Sequence, residues 1–378
     1  MEISSSYIHA YSKYPRFTRY ISPGVLEDDK EEVYLDCHSF SCSTSLWCPT
    51  LSSSQFSLLP TTYEFNNVFR EKLTSWFEKL LPTFDVGYTS SGTDSVVNAI
   101  HFSQLYTKKK SVVMFEEQYH GKYGPLSNRF STSEQHSFYN KDCIITLPSL
   151  LHDSKRAVQS LEELCKNNPP SALLLELCSI ANAGGLFIKE YIVKEVVNIA
   201  KKYNVLIIVD EVQSGFWRTG KLFSYEHYDI LPDIISFGKS IAGGLPLYGT
   251  FYNKNLLENF PMKKGFYSST YTASLLATSI ALQILNEIMS EENKYKHFLT
   301  NIEAAGEIFD HFLLNEEGYF RKGLVISFIT DITAEEFLKK KILLRKVGNR
   351  VLLTPPLFSD LTTIWGMSYK LKEVIKNA

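Results

Sequence analysis

The chain has 378 residues, of which 44% are apolar and 21% are charged, and its formal net charge is −2. This composition excludes a disordered chain, and the near-neutral charge gives no indication of a nucleic-acid or acidic-membrane partner. No apolar run reaches the length of a membrane span, and residues 1–20 lack the apolar core of a secretory signal.

Seven short apolar runs predict the strands of one sheet. They lie at 84–88, 111–115, 143–147, 172–177, 205–209, 233–237 and 247–251. Most are apolar at consecutive positions, as expected for strands that are covered on both faces. Helical periodicity at 94–106 and 189–203 places helices between the strands. We therefore expect an α/β fold with a mostly parallel seven-stranded sheet and helices on both sides.

The C-terminal part of the chain has a different pattern. A long apolar stripe at 273–289 predicts a helix, and the region after it mixes helix with strand-like runs at 323–329 and 350–354. The strand-like run at 32–35 is expected to join this smaller α+β domain. The predicted division is an N-terminal segment at 1–45, a large domain at 46–290 and a shortened small domain at 291–378.

The six cysteines show neither a C-x-x-C pair nor a spacing typical of metal ligands. They are Cys37, Cys42, Cys48, Cys143, Cys165 and Cys178. This pattern predicts free thiols in a reducing cytoplasm and no metal site.

Two strand ends carry residues suited to carbonyl chemistry. Asp210 follows the strand at 205–209, and Lys239 follows the strand at 233–237 almost directly. In α/β sheets, ligands bind at the carboxyl ends of the strands. Pyridoxal phosphate (PLP) requires a lysine amine for its Schiff base and an acidic partner for its pyridine nitrogen. Taken singly, each residue could be an ordinary loop residue; together they favour a PLP site.

Residues 207–247 resemble the class III aminotransferases, which are PLP-dependent enzymes of fold type I, and a weaker resemblance extends from about residue 18 to 357. The shared motifs are Asp-Glu-x-Gln at 210–213, Gly-x-x-Arg-Thr-Gly at 215–220, Pro-Asp at 232–233 and Lys-x-x-x-Gly-Gly at 239–244.

The resemblance implies an aminotransferase that works by a ping-pong mechanism on an amino group that is not on an α-carbon. It implies that Lys239 forms the Schiff base and moves the proton as general base and acid. By the same resemblance, Asp210 pairs with the pyridine nitrogen of PLP and Gln213 contacts its phenolic oxygen.

The turn at 87–94 joins a strand to a helix through small and hydroxyl-bearing residues. Free N–H groups and the positive end of a helix favour an anion there, although a simple Ser/Thr N-cap is the alternative. The resemblance favours the first reading, in which Ser91, Gly92 and Thr93 bind the phosphate of PLP.

Three further residues are assigned to the cofactor by the resemblance. Tyr119 stacks on the ring, His120 follows it, and Thr270 reaches the phosphate from the other subunit, which implies a homodimer with shared active sites. Without the family, Tyr119 and His120 would be interpreted as packing residues and Thr270 as a helix cap.

The sequence departs from the family at the expected substrate-binding residues. Glu176 matches a glutamate that pairs with a C-terminal arginine in several members, but Leu352 occupies the position of that arginine. Arg350 lies two residues earlier, on the same face of a strand and about 7 Å away, and is the candidate substitute. A substrate ammonium or a neutral polar group is the alternative partner of Glu176. Trp217 stands where a glycine is common.

The sequence is also compatible with other functions. A glutamate-1-semialdehyde-type aminomutase, a racemase or a decarboxylase would use the same residues, and a non-catalytic scaffold would keep the fold. A nucleotide-binding dehydrogenase is disfavoured because no Gly-x-Gly-x-x-Gly follows an early strand.

Overall fold

The computed structural model describes residues 15–47, 67–121, 126, 143–260 and 269–377, and Cys48 lies outside them. The strands are β1 (Phe17–Ser22), β2 (Val25–Asp28), β3 (Val33–Asp36), β4 (Phe84–Thr89), β5 (Val112–Phe115), β6 (Ile144–Leu147), β7 (Ala172–Leu175), β8 (Cys178–Ser179), β9 (Leu186–Phe187), β10 (Leu206–Glu211), β11 (Ile234–Phe237), β12 (Tyr248–Asn253), β13 (Phe320–Lys322), β14 (Val325–Ile329), β15 (Ile342–Leu343), β16 (Arg345–Val347) and β17 (Arg350–Leu353). The helices are α1 (Ser39–Cys42), α2 (Val68–Leu80), α3 (Gly92–Thr107), α4 (Ser154–Asn167), α5 (Ile180–Ala183), α6 (Glu190–Lys202), α7 (Lys254–Asn259), α8 (Leu275–Met289), α9 (Glu292–Leu313), α10 (Ala334–Lys339) and α11 (Leu361–Lys376).

The central sheet contains seven strands in the order β4-β12-β11-β10-β7-β5-β6. Neighbouring strands from β11 to β6 are parallel, whereas β12 runs antiparallel to both β11 and β4. The predicted mostly parallel, seven-stranded sheet is therefore confirmed, and the strand ends differ from the prediction by at most two residues. Strands β5, β7, β10 and β11 are buried along their whole length, which explains their mainly apolar sequences.

The three predicted helices are present as α3, α6 and α8. Helix α6 buries Ile192, Val196 and Ala200, the apolar stripe that its sequence shows at helical spacing. Helix α8 begins after Ser274, whose hydroxyl accepts a hydrogen bond from the N–H of Ala277 at 3.3 Å. Removing aliphatic side chains of this kind from water contributes about 1.5–3 kcal/mol each, so packing against the core holds these helices in place.

Two smaller sheets combine the ends of the chain. One has the order β1-β2-β3-β15, in which β3 pairs in parallel with β15. The other is the antiparallel sheet β13-β14-β17-β16. Helices α9 and α11 pack against each other in the same region. The N-terminal strands thus lie beside the C-terminal ones.

Arg218, in the Gly-x-x-Arg-Thr-Gly turn, connects these parts of the molecule. Its guanidinium is fully buried and donates hydrogen bonds to the carbonyls of Leu324 at 3.1 Å and Pro355 at 2.7 Å, and to the hydroxyl of Ser45. A buried charge is stable only where hydrogen bonds replace its water. The turn therefore holds the N-terminal segment and the C-terminal strands against the large sheet.

The backbone conformation at Trp217 explains why a glycine is common at this position in the family. Its backbone has a φ of 64°, in the left-handed region that favours glycine. Here the cost is offset by burial, because the indole packs edge-on against Phe298 with ring centres 5.5 Å apart. The indole N–H also donates to the hydroxyl of Tyr295 at 3.1 Å.

None of the helices in the described part of the chain combines the length and apolar character needed to cross a bilayer. The five cysteines within the same residues are unpaired thiols.

Candidate active site

One pocket lies at the carboxyl ends of β10 and β11, beside the N-terminus of α3. The residues that line it are Gly92, Thr93, Tyr119, His120, Gly121, Glu176, Asp210, Val212, Gln213, Lys239 and Tyr248. Eight of them are residues that the sequence singled out, drawn from five separate segments of the chain. Ser91 directly precedes Gly92 at the edge of the pocket.

Lys239 lies where β11 ends, directly after Gly238. A side chain at position 238 is impossible without rearrangement, because a Cβ there would stand 1.9 Å from Cδ1 of Tyr248. Lys239 itself has a φ of 47°, a strained conformation for a residue with a side chain. The close contact and the strain together fix the direction in which the lysine leaves the strand.

The pKa of the Lys239 ammonium is lowered, mainly because burial removes it from water. The positive charge of Arg345 lowers this pKa further, whereas the neighbouring Cys42, Asp210 and Glu176 raise it. Desolvation prevails, so a larger fraction of Lys239 is the neutral amine at a given pH. The neutral amine is the form that attacks a carbonyl carbon and accepts a proton.

The Asp210 carboxylate is held in place from two sides. One oxygen accepts a hydrogen bond from the N–H of Val212 at 3.0 Å, and the other lies 2.8 Å from Nδ1 of His120. Nε2 of His120 lies 3.3 Å from the side-chain oxygen of Gln118. These two contacts fix the orientation of the Asp210 carboxylate at the end of β10.

Gln213 has an unsatisfied polar atom in the pocket. Its side-chain oxygen is buried and has no hydrogen-bond partner among the described residues. Buried polar atoms without a partner are uncommon and often indicate a ligand. By rotating its amide, Gln213 can offer either its oxygen or its N–H groups to that ligand. This atom fits a cofactor with polar ring substituents.

Glu176 is a buried residue of the pocket wall. Its carboxyl oxygen accepts a hydrogen bond from the N–H of Tyr119 at 2.9 Å. Burial, together with the nearby Asp210 charge, raises the pKa of Glu176 to about 8, although the Tyr119 N–H and Lys239 oppose the rise. Glu176 is therefore mostly protonated at neutral pH and carries little negative charge into the pocket.

The turn before α3 has the geometry of an anion site. The hydroxyl of Ser91 caps the helix by accepting from the N–H of Asp94 at 3.1 Å. Gly121, with a φ of 137°, passes so close that a Cβ there would lie 2.7 Å from the side chain of Thr93. The N-terminus of the helix, directed at the pocket through Gly92 and Thr93, favours a phosphate.

Besides Ser91, two predicted site residues lie outside the wall of this pocket. Thr270 is exposed, and the hydroxyl of its neighbour Ser269 lies 2.6 Å from that of Ser90. Arg350 donates from Nη1 to the carbonyl of Gly318 at 2.7 Å and to the hydroxyl of Ser327 at 3.2 Å.

Several residues that the fold adds to the site had no distinguishing signal in the sequence. Tyr248 lines the pocket from the first position of β12. His38 and Arg345 lie close enough to Lys239 for their charges to interact, and the pKa of His38 is lowered to about 4 by burial and by the nearby cations. These residues come from strands and turns whose local pattern is unremarkable, so only the chain fold brings them here.

Comparison with known proteins agrees with this geometry. The family model for class III aminotransferases matches residues 52–373. The chain is similar to an acetylornithine aminotransferase of Listeria monocytogenes, with 26% identity over 98% of this chain and 97% of the relative. It is also similar to a putative LysW-aminoadipate semialdehyde/glutamate semialdehyde transaminase of Pyrococcus horikoshii, with 29% identity over 83% of this chain and 81% of the relative.

Solved structures share the fold. The acetylornithine aminotransferase of Elizabethkingia anophelis superposes with a TM-score of 0.79 at 21% identity, covering 99% of this chain and 96% of that one. An S-selective transaminase from Arthrobacter superposes with a TM-score of 0.85 at 18% identity, covering 97% and 94%. Because the family match spans most of the sequence, the chain belongs to the class III aminotransferases, which are PLP-dependent transferases of amino groups.

Proposed function

We propose that this enzyme moves an amino group that is not on an α-carbon from an amine donor to a carbonyl acceptor by a ping-pong mechanism. The observation that carries the proposal is the convergence of Lys239, Asp210, Gln213 and Tyr119 on one pocket. The names of the relatives support the choice of amino group, since two of them act on semialdehydes and others on acetylornithine. A semialdehyde carries its carbonyl at the end of a chain.

Lys239 is the proposed catalytic residue. PLP, when bound, supplies a ring that accepts electrons from a substrate carbon. Lys239 would hold the cofactor and then, as a partly desolvated amine, remove and return the proton of that carbon. Its lowered pKa supports both roles, because a protonated lysine could neither attack nor act as a base.

The other residues are proposed to hold and orient the cofactor. Asp210, oriented by His120, would pair with the pyridine nitrogen, and the unsatisfied amide of Gln213 would contact the phenolic oxygen. Tyr119 would stack on the ring, where its flat face excludes water.

The phosphate of PLP is proposed to bind at the N-terminus of α3, through Ser91, Gly92 and Thr93. Thr270 would complete this site from a second copy of the chain, so we also propose a homodimer. The exposure of Thr270 is compatible with such a contact. We propose the cytoplasm as the location, supported by the unpaired cysteines of the described residues.

Borohydride reduction tests the proposal directly. The purified protein, supplied with PLP, is reduced with borohydride, and peptide mass spectrometry locates any pyridoxyl adduct. We expect the adduct on the peptide that contains Lys239, its loss in Lys239→Ala, and its retention in Lys201→Ala, a control at an exposed lysine of α6. An unmodified Lys239 in the presence of excess PLP would favour a non-catalytic protein.

Product analysis separates amino transfer from the other PLP reactions. The enzyme is incubated with an amine donor in the presence and absence of a keto acid, and the products are quantified. An aminotransferase converts more than one equivalent of donor only when the keto acid is present. Full turnover without the keto acid would instead support a mutase, a racemase or a decarboxylase.

A further inference from the structure

The position that the family gives to an arginine is filled by Leu352, which cannot bind an anion. Leu352 is fully buried on β17 and packs with Cys42, Cys178 and Val325 in a small apolar cluster. In the antiparallel pair β16–β17, the residue directly opposite Leu352 is Arg345. Directly opposed side chains lie on the same face of a sheet, with Cβ atoms about 4.5–5.5 Å apart. Arg345 therefore presents a guanidinium from the neighbouring strand on the face where the family carries its own.

The side chain of Arg345 is directed at the segment that follows Glu176. It is half-buried, and its Nη2 donates to the carbonyl of Ala181 in α5 at 2.7 Å. No carboxylate among the described residues forms an ion pair with it. An arginine has five N–H donors in a planar fork, so most of this donor capacity is available to a ligand.

The charge of Arg345 reaches the pocket. Burial is the main cause of the lowered pKa of Lys239 and of His38, and the positive charge of Arg345 lowers both further. The same charge opposes the burial-driven rise in the pKa of Tyr119. Glu176 does not neutralise it at neutral pH, because its own pKa is raised to about 8. Arg345 does not line the pocket itself, but its charge acts on Lys239 and Tyr119, which do.

Arg350, the substitute expected from the sequence, is engaged elsewhere. Its guanidinium donates to Gly318 and Ser327, and its methylene groups cover Gly184, where a Cβ would lie 2.7 Å from Cδ of Arg350. Alternation along β17 does place it on the face of Leu352, but Arg350 is not among the main charges that act on Lys239, His38 or Tyr119.

We propose that Arg345 binds the carboxylate group of the substrates, taking over from the adjacent strand the role that Leu352 cannot perform. The inference rests on the proposed aminotransferase function and specifies it: the enzyme selects amino and keto acids over uncharged amines and aldehydes. A bidentate guanidinium–carboxylate pair supplies both the orientation and the selectivity.

The test compares Arg345→Met with two other arginine variants in the PLP-loaded enzyme. Glutarate, a dicarboxylate without a reactive group, is titrated by calorimetry, and kcat/KM is measured with 2-oxoglutarate and with pentanal, an uncharged acceptor of the same length. We expect Arg345→Met to weaken glutarate binding and to lower kcat/KM for 2-oxoglutarate by about 10- to 100-fold, as for a lost hydrogen-bonded charge. The value for pentanal should change by less than about twofold, within the range of surface substitutions.

The other variants identify the residue. Arg156→Met, at an exposed position of α4, should leave both measurements unchanged. Leu352→Arg, added to Arg345→Met, should restore at least part of the glutarate affinity. Equal losses for 2-oxoglutarate and pentanal, or full glutarate affinity in Arg345→Met, would overturn the proposal. A selective loss in Arg350→Met alone would assign the role to Arg350 instead.

Failure of this inference is distinguishable from failure of the proposed function. The borohydride adduct on Lys239 reports the function and should form in every arginine variant. An adduct with unaltered carboxylate binding would refute only the role of Arg345. Glutarate calorimetry needs no turnover, so it decides the role of Arg345 even where no adduct forms.

Discussion

The left-handed conformation of Trp217 leads to a stability order that is opposite to the usual one. At most positions in helices or strands, a protein with alanine is more stable than the same protein with glycine by about 0.5–1 kcal/mol, because glycine loses more conformational entropy on folding. At a φ of 64° the order should reverse. A residue with a Cβ costs about 1–2 kcal/mol in the left-handed region, and glycine avoids this cost.

The magnitudes follow from the contacts of the indole. Trp217 is fully buried, packs edge-on against Phe298 and donates to Tyr295. Truncating such a side chain to alanine costs about 3–5 kcal/mol of the free energy of unfolding. Trp217→Gly loses the same contacts, but it also relieves the backbone strain that Trp217→Ala retains. After the greater conformational entropy of glycine in the unfolded state is subtracted, Trp217→Gly should be about 1 kcal/mol more stable than Trp217→Ala.

Urea unfolding followed by far-ultraviolet circular dichroism measures this order, since the signal does not depend on the deleted tryptophan. All three proteins are compared at the same PLP concentration, because ligand binding shifts apparent stability. We expect the order wild type, Trp217→Gly, Trp217→Ala. An alanine variant as stable as the glycine variant, or more so, would refute the reasoning from backbone strain.

Two further predictions concern the pocket. In cofactor-free protein, the pKa of Glu176 is about 8 in the folded state and near 4.5 in the unfolded state. As the pH rises, Glu176 therefore loses its proton at a lower pH in the unfolded protein than in the folded protein. The free energy of unfolding should therefore fall by a few kcal/mol as the pH rises from about 4.5 to 8. Glu176→Gln should abolish this part of the pH dependence, which urea unfolding at several pH values measures. An identical pH dependence in the variant would contradict the raised pKa of Glu176. Gly238→Ala places a Cβ 1.9 Å from the ring of Tyr248 and should abolish PLP binding, measured by the absorbance of the bound cofactor. Adding Tyr248→Ala should restore binding, and a double variant that stays cofactor-free despite folding would show that the contact is not the cause.

Much of the fold could be predicted because it depends on local pattern. Strands β5, β7, β10 and β11 are buried along their whole length, so their mainly apolar runs identify them directly. The antiparallel direction of β12 was not predictable, because the side-chain pattern of a buried strand is the same in either direction. The local sequence pattern did not predict helices α4 and α11, although both bury an apolar face.

Within the site, the sequence determined the chemical groups at the strand ends, and the tertiary structure decided what each group meets. Asp210 and Lys239 were identifiable because strand ends in α/β sheets face the ligand and because the surrounding motifs are specific. The pairing of His120 with Asp210, 90 positions apart, depends on the order of β5, β7 and β10 in the sheet.

The proposed substrate-binding arginine could be identified only from the fold. Residues two apart on a strand share a face, so the sequence alone favours Arg350 as the substitute for the missing arginine. The register of β16 against β17 places Arg345 opposite Leu352 and leaves Arg350 bound to Gly318. The alternation of side chains along a strand follows directly from the sequence, whereas the register between strands depends on the packing of the whole sheet. That register determines which arginine lies opposite Leu352.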